Sequence, residues 1–174
     1  IKDANVKAIV FRIDSPGGGE VASETIWRAV KQAQAAGKPV IVSMSNVAGS
    51  GGYYIAAPAD KIVAEPLTIT GSIGVFGGKF VLAGLWDRLG VTWDTVSLGA
   101  NAGMSSSLTP FSPEQQQRFA ALIDIGYKGF VARVADGRHM DPAQVDAVAR
   151  GREWTGAQAK DHGLVDALGG FDEA

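Results

Sequence analysis

A run of small residues at positions 48–54, with the sequence AGSGGYY, contains the side chain best suited to catalysis. Ser50 lies between a predicted strand and a predicted helix, and its small neighbours would let a substrate carbonyl approach the hydroxyl, as at a nucleophile elbow. The N–H group of Gly51 would lie at the amino end of that helix, where partial positive charge helps to stabilise an oxyanion. The alternative is a glycine-rich turn in which Ser50 only caps the helix, and this segment alone leaves both interpretations open.

A second glycine-rich segment, residues 14–19 (DSPGGG), also follows a predicted strand and precedes a predicted helix. Successive glycine N–H groups can form an anion-binding concavity, but no Gly-Lys-Ser/Thr follows, which excludes a P-loop. Ligands bind at the carboxyl ends of strands in open α/β sheets. Two such turns after parallel strands therefore predict a nucleophile facing an oxyanion hole, and the alternative is an ordinary strand-to-helix connection.

A serine nucleophile needs a base, and the chain offers few candidates. His139 and His162 both occupy positions typical of helix C-terminal caps, which disfavours a Ser-His-Asp triad. A neutral lysine is the other option, because burial lowers the pKa of an amine. Ser72, in the segment 70–74 (TGSIG), would orient such an amine by hydrogen bonding, or it is a turn serine.

Composition excludes several function classes. The chain has 174 residues, of which 46% are hydrophobic and 20% charged, as expected for one globular domain. A net charge of -2 gives no reason to expect a nucleic-acid partner, and the absence of cysteine excludes disulfides and thiolate chemistry. We expect no cofactor and no metal. The start at Ile1 indicates a piece of a longer protein, so that any membrane contact would come through an anchor outside this chain.

Predicted strands and helices alternate along the chain. Apolar runs predict strands at residues 6–13, 40–44, 62–64, 72–76 and 91–96. Periodicity and capping signals predict helices at residues 20–36, 53–57 and 80–89, a long helix opened by Ser112, and helices at 141–149 and 155–163. Residues 97–111 contain no ionisable side chain and predict a long loop. This alternation predicts an α/β fold with mainly parallel pairing, formed by residues 1–174 as a single domain.

Five motifs follow one another in a fixed order: residues 14–18 (DSPGG), 48–56 (AGSGGYYIA), 67–74 (LTITGSIG), 154–160 (WTGAQAK) and 163–166 (GLVD). Together they resemble the signal peptide peptidase A (protease IV) family of the Clp/crotonase superfamily. The resemblance covers nearly the whole chain. Residues 126–139 are similar to the C-terminal repeat of the long, two-repeat form of that family.

The resemblance implies a Clp/crotonase-like fold of stacked ββα units and a serine endopeptidase with a Ser–Lys dyad that degrades cleaved signal peptides. Ser50 matches the nucleophile of the family, and Ser72 matches the serine that is hydrogen-bonded to the catalytic lysine. The N–H groups of Gly17 and Gly51 match the oxyanion hole. The resemblance also implies a homo-oligomeric parent protein, anchored in the bacterial inner membrane with its catalytic domain facing the periplasm.

The catalytic lysine is where this chain departs from the short form of the family. The position that would carry it is about Ala102, and no Lys or Arg lies between Arg88 and Arg118. In the long form the lysine belongs to the N-terminal repeat. We therefore expect this chain to supply the nucleophile and the oxyanion hole, and to be poorly active without that repeat. Lys79 is the one substitute within the chain.

Two other functions remain open. An acyl-CoA enzyme of the crotonase type would use the same two N–H groups to bind a thioester enolate, with Ser50 incidental, although the sequence shows no basic cluster for the CoA phosphates. A non-catalytic structural repeat of a larger assembly is favoured by the missing base and disfavoured by the intact nucleophile segment.

Overall fold

The computed structural model describes residues 1–174, with six strands and six helices. The strands are β1 (Ile9–Ser15), β2 (Val40–Gly49), β3 (Lys61–Ala64), β4 (Ile69–Gly71), β5 (Glu153–Thr155) and β6 (Ala167–Leu168). The helices are α1 (Glu20–Ala35), α2 (Gly51–Ala56), α3 (Ala83–Arg88), α4 (Pro113–Arg138), α5 (Pro142–Val148) and α6 (Gly156–Asp161). The chain divides into a first unit, residues 1–75 with 126–174, and a second unit, residues 76–125.

Strand β2 organises the sheet because it has neighbours along its whole length. One edge pairs in parallel with β1. The other edge is shared, since the first half of β2 pairs in parallel with β3 and the second half pairs in parallel with β4. Strand β6 extends the sheet in parallel beside β3, and β5 is the antiparallel neighbour of β4. This largely parallel sheet with its helices confirms the expected α/β fold of the Clp/crotonase type.

The core of the first unit forms around β2 and α2. Val42 and Met44 of β2 are fully buried, as expected for a strand covered on both faces. Helix α2 is buried from Gly52 to its end. The hydroxyl of its Tyr53 donates to the carbonyl of Leu164 (2.9 Å), which satisfies the one polar group of a fully buried ring. Burial also raises the pKa of Tyr53. Helix α2 is therefore fixed in place directly after the segment that carries Ser50.

Most predicted helices are confirmed, together with their caps. The hydroxyl of Ser112 accepts the N–H of Gln115 at the start of α4 (3.1 Å), and the Gln115 side chain accepts the N–H of Ser112 in return. Thr155 and Gln158 form the same reciprocal capping box at α6. Such caps satisfy the free N–H groups of a first helical turn, so capping residues in the sequence indicate where a helix begins.

Two predicted strands are wrong. Residues 72–76 are not a strand because β4 ends at Gly71, and Ser72 has a left-handed φ of 48° and donates its N–H to the carbonyl of Arg152 (2.7 Å). Residues 91–96 are rich in β-branched side chains but have no partner strand and are exposed. Trp93 packs there edge-on against Trp86, with 6.0 Å between the ring centroids. β-propensity depends on pairing and burial, and these residues have neither.

The second unit contains α3, the first half of α4 and a long irregular segment between them. This segment includes residues 97–111, which form successive turns, so the predicted loop is confirmed. Phe111 stacks on Phe119 of α4, with 5.1 Å between ring centroids. Large apolar side chains remain uncovered in this unit, and the most exposed are Phe76 (98%), Val96 (100%) and Leu98 (96%). None of the helices combines the length and the apolar character needed to span a bilayer.

A network of polar side chains joins α1, α2 and α4 in the first unit. The carboxylate of Glu24 accepts hydrogen bonds from the Tyr54 hydroxyl (2.7 Å) and from the guanidinium of Arg133 (3.2 and 3.3 Å). The bonds from Arg133, followed by the one from Tyr54, lower the pKa of Glu24 to about 2, against the opposing effect of burial. The guanidinium also lies over the ring of Trp27, 4.4 Å from its centroid. One carboxylate therefore joins three helices.

The Glu24 network predicts a loss of stability in acid. The folded-state pKa of about 2 lies below the ordinary value of 4.5, so the stabilisation is complete above the ordinary value and is lost as the pH falls towards the folded-state value. The difference in free energy of unfolding between wild type and Glu24→Gln, measured by urea denaturation from about pH 7 to about pH 3, should shrink as the pH falls. Asp94→Asn removes an exposed carboxylate and serves as the control. A Glu24→Gln difference that stays constant over this range would contradict the prediction.

Candidate active site

The carboxyl ends of β1, β2 and β4 lie side by side. Ser15 at the end of β1 is paired with Ala48 of β2, and Gly49 at the end of β2 is paired with Gly71 at the end of β4. The segments that follow these three strands carry Gly17, Ser50 and Ser72. The strand register therefore brings together three segments that are far apart in the sequence, at the edge of the sheet where ligands bind in this class of fold.

Ser50 has an unusual backbone conformation for a residue with a side chain. Its φ is 50° and its ψ is -119°, and it is held there by a bond from its N–H to the carbonyl of Gly71 and one from the N–H of Tyr54 to its carbonyl (both 2.9 Å). Its hydroxyl does not cap α2, and the residue is half-exposed. A strained residue at a strand-to-helix turn is the geometry that projects a nucleophile outward. The structure therefore does not support the alternative in which the Ser50 hydroxyl only caps the helix.

Gly17 lies against the Ser50 segment so closely that no other residue fits there. Its φ is +113°, and a methyl group on its Cα would lie 2.7 Å from both the Ser50 Cβ and the Gly51 nitrogen. The Gly17 N–H donates to the hydroxyl of Ser15 (3.2 Å), a long bond. A methyl group on Gly51 would in turn lie 3.0 Å from the amide nitrogen of Gly18. Several backbone N–H groups are therefore gathered beside Ser50.

Ser72 lies on the other side of the Ser50 segment. A methyl group on Gly49 would lie 3.6 Å from the Ser72 Cβ, which is ordinary contact distance, so the Ser72 side chain packs beside the residue that precedes Ser50. Ser72 has a φ of 48°, another left-handed conformation outside glycine. The site therefore has Gly17 on one side, Ser50 in the centre and Ser72 on the other side.

Each of the three ionisable candidates makes contacts with residues other than Ser50 and Ser72. His139 has a left-handed φ of 53° directly after α4, and it lines a polar cavity of about 460 Å³ with Pro58 and Asp60. The ring of His162, at the C-cap of α6, packs edge-on against Trp154, with 4.2 Å between the centroids. Lys79 belongs to the second unit, where its Nζ is buried without a hydrogen-bond partner, 4.4 Å from the centroid of the Phe111 ring. Both histidines thus occupy the helix-end positions predicted for them.

Sequence reasoning missed a second set of residues behind the site. Ser23 of α1 is buried, donates its hydroxyl to the carbonyl of Gly19 (3.1 Å), and would lie 2.6 Å from a methyl group on Gly51. Arg152 accepts the N–H of Ser72 on its carbonyl. These contacts depend on tertiary packing, and the one available signal was the small size of Ser23 on the first turn of a helix. They explain how two serines are held in strained conformations.

The close approach of Gly17 to Ser50 predicts a large effect of a single methyl group. Gly17→Ala should destabilise the protein by about 1–3 kcal/mol, because the new side chain is both strained at this φ and in contact with Ser50 and Gly51. Gly19→Ala is the matched control, because a methyl group there meets no atom within 4 Å. Urea denaturation of both variants measures the difference. Equal stability of the two variants would contradict the geometry described for Gly17.

Comparisons with known proteins agree with the motif resemblance. The model of peptidase family S49 matches residues 32–174. The chain is 49% identical over 172 residues to Protease 4 of Salmonella typhi, an alignment that covers 99% of this chain and 28% of that protein. It is 45% identical over 169 residues to the chloroplastic serine protease SPPA of Arabidopsis thaliana, covering 97% of this chain and 25% of that protein.

A third relative is shorter. The putative signal peptide peptidase SppA of Enterococcus faecium is 38% identical over 173 residues, which is 99% of this chain and 50% of that protein. The chain thus spans between a quarter and a half of the length of these relatives. Because the family model covers most of the chain and the identity extends over nearly all of it, the chain belongs to peptidase family S49, the signal peptide peptidase A (protease IV) family.

Proposed function

We propose that this chain carries the nucleophile and the oxyanion hole of a serine endopeptidase that works through a Ser–Lys dyad. The observation that carries the proposal is the conformation of Ser50, which is strained, half-exposed and in close contact with the glycine turn at Gly17. An acyl-CoA enzyme would use the same N–H groups but gives no role to Ser50 or Ser72. The cost of holding both serines in left-handed conformations therefore favours the peptidase.

The proposed reaction begins with attack of the Ser50 Oγ on a peptide carbonyl. The base takes the hydroxyl proton, and the N–H groups of Gly17 and Gly51 donate to the oxygen as it becomes negative. The long bond from Gly17 to Ser15 is weak enough to be exchanged for a bond to this oxyanion. The protonated base then gives its proton to the leaving amine. Water hydrolyses the acyl-enzyme by the same route in reverse and restores the Ser50 hydroxyl.

The base in this proposal is a lysine of the N-terminal repeat of the same protein, with its amine hydrogen-bonded to the hydroxyl of Ser72. Ser72 supports this role because it lies beside the residue that precedes Ser50. Lys79 is the weaker candidate, because its amine is already buried over the Phe111 ring. The substrates are extended apolar peptides, such as cleaved signal peptides, and one relative is named a putative signal peptide peptidase.

The uncovered apolar residues of the second unit support the assembly that the proposal requires. Phe76, Val96 and Leu98 are almost fully exposed, and covering large apolar side chains with protein removes them from water, which is favourable. We propose that the N-terminal repeat covers these side chains, since the chain spans 28% of the length of Protease 4. Homo-oligomerisation, an inner-membrane anchor outside this chain and a periplasmic location follow from the family resemblance and form part of the same proposal.

The role of Ser50 predicts a near-complete loss of activity on its removal. In the full-length protein that contains this chain, Ser50→Ala should lower kcat for a signal-peptide substrate by at least about 10³-fold, because the acyl-enzyme cannot form. It should also abolish labelling by a fluorophosphonate probe. Ser105→Ala, at an exposed serine of the second unit, is the control and should keep both the turnover and the probe labelling. Turnover that survives Ser50→Ala would refute the peptidase proposal.

Because the proposed base belongs to the N-terminal repeat, peptidase activity should depend on the part of the protein outside this chain. The isolated chain should show little turnover, and the full-length protein should be active with Lys79→Met at a rate within about twofold of wild type. Peptide cleavage assays on the three proteins measure this. If Lys79→Met alone abolishes turnover without altering the stability of the full-length protein, the base lies within this chain and that part of the proposal is wrong.

A further inference from the structure

The turn that carries Ser72 contains two successive left-handed residues. Gly71 has a φ of +80° and Ser72 a φ of 48°. Glycine adopts this region freely, but serine there costs on the order of 1–2 kcal/mol. The surroundings of the turn must therefore hold it in place, and the segment that does so is identified by its contacts.

The contacts come from residues 149–155, which comprise β5 and the connection that leads to it from α5. The carbonyl of Arg152 accepts the N–H of Ser72 (2.7 Å), and the N–H of Gly151 donates to the carbonyl of Ile73 (2.9 Å). The same turn also holds the nucleophile, because the carbonyl of Gly71 accepts the N–H of Ser50 (2.9 Å). A displacement of this turn would therefore move Ser50 and Ser72 together.

Trp154 is the side chain that packs directly on this turn. A methyl group on Gly71 would lie 2.9 Å from the Trp154 Cδ1, so the indole ring covers the Gly71 Cα. The ring is held by a bond from its Nε1–H to the carbonyl of Val148 at the end of α5 (2.9 Å) and by the edge-on contact with His162. Trp154 is thus connected on one side to α5 and on the other side to the strand end of the site.

We propose that Trp154 is a positioning residue for the active site: its fixed indole ring holds the Gly71–Ser72 turn in its left-handed conformation. This inference rests on the proposed function for its catalytic consequence, but its structural part stands independently. Trp154 lies behind the turn and acts through Gly71. Loss of the ring should release the Ser72 amide from Arg152 and the Ser50 amide from Gly71, without unfolding the rest of the unit.

Amide hydrogen exchange of the 174-residue chain, followed by NMR, tests the structural part. In Trp154→Leu the amides of Ser72 and Ser50 should exchange at least about tenfold faster relative to the amide of Asp166, which bonds the carbonyl of Ile62 (2.9 Å). Trp154→Phe, which keeps a ring but loses the indole N–H, should show a smaller change in the same direction. Trp27→Leu is the matched control, since it truncates another half-buried tryptophan of the same unit.

In the Trp27→Leu control, the three amides should change by the same factor. The same uniform change in Trp154→Leu would overturn the proposal, because it would show that Trp154 contributes only to global stability. If Trp154→Leu does not fold, Trp154→Phe decides by the same criterion.

Kinetics of the full-length protein test the catalytic part. Trp154→Phe should lower kcat about fivefold while KM stays within about twofold, and the same substitution in a Ser72→Ala background should change kcat by less than about twofold. Additive effects of the two substitutions would overturn the coupling between Trp154 and Ser72. If Ser72→Ala itself leaves kcat intact while the exchange result holds, the proposed role of Ser72 fails and Trp154 remains the residue that positions the turn.

Discussion

The register of three parallel strands is the constraint on which the candidate site depends. Strand β2 pairs with β1 on one edge and with β4 along the second half of the other, so the three strands end at the same level. A shift of one residue in either pairing would separate Ser50 from Gly17 or from Ser72. Residues 42–44 of β2 are buried on both faces of the strand, so a one-residue slip would place each side chain in a space shaped for its neighbour.

Backbone groups provide most of what surrounds Ser50. Its own N–H and carbonyl are bonded to Gly71 and Tyr54, and the glycine turn at Gly17 fills the space on one side. A site formed by backbone depends little on side-chain rotamers, so the fold sets the positions of its N–H groups before any ligand arrives. Such a site is instead sensitive to the φ angles of a few residues. The left-handed conformations of Ser50 and Ser72 are where that sensitivity is concentrated.

The sequence predicted the long elements and the strand-end segments well, because both have local signals. Capping residues such as Ser112 and Thr155 indicate helix starts, and the glycine turns at residues 14–19 and 48–54 indicate where strands end. The short strands β5 and β6 were not predicted, since three or two residues carry no periodicity. The strand predicted at residues 91–96 does not form for a different reason: these residues favour extended structure locally but have no partner strand.

The parts of the candidate site that sequence could not predict are those set by distant packing. The contact of Ser23 with Gly51, and the bond from Ser72 to Arg152, join residues that no local pattern relates. The motif resemblance implied that Ser50 is the nucleophile and that Ser72 is hydrogen-bonded to the catalytic lysine. The structure adds the contacts that hold both residues in their conformations.

The arrangement of β4 and β5 also affects the order in which the molecule matures. The N–H of Ser72 donates to the carbonyl of Arg152, eighty positions further along the polypeptide. During synthesis on the ribosome, the strands that end beside Ser50 are made long before that acceptor exists. The nascent chain can therefore pair β1, β2 and β4 while the turn that carries Ser72 is still unsupported, and the candidate site is complete only when the segment around Arg152 has emerged.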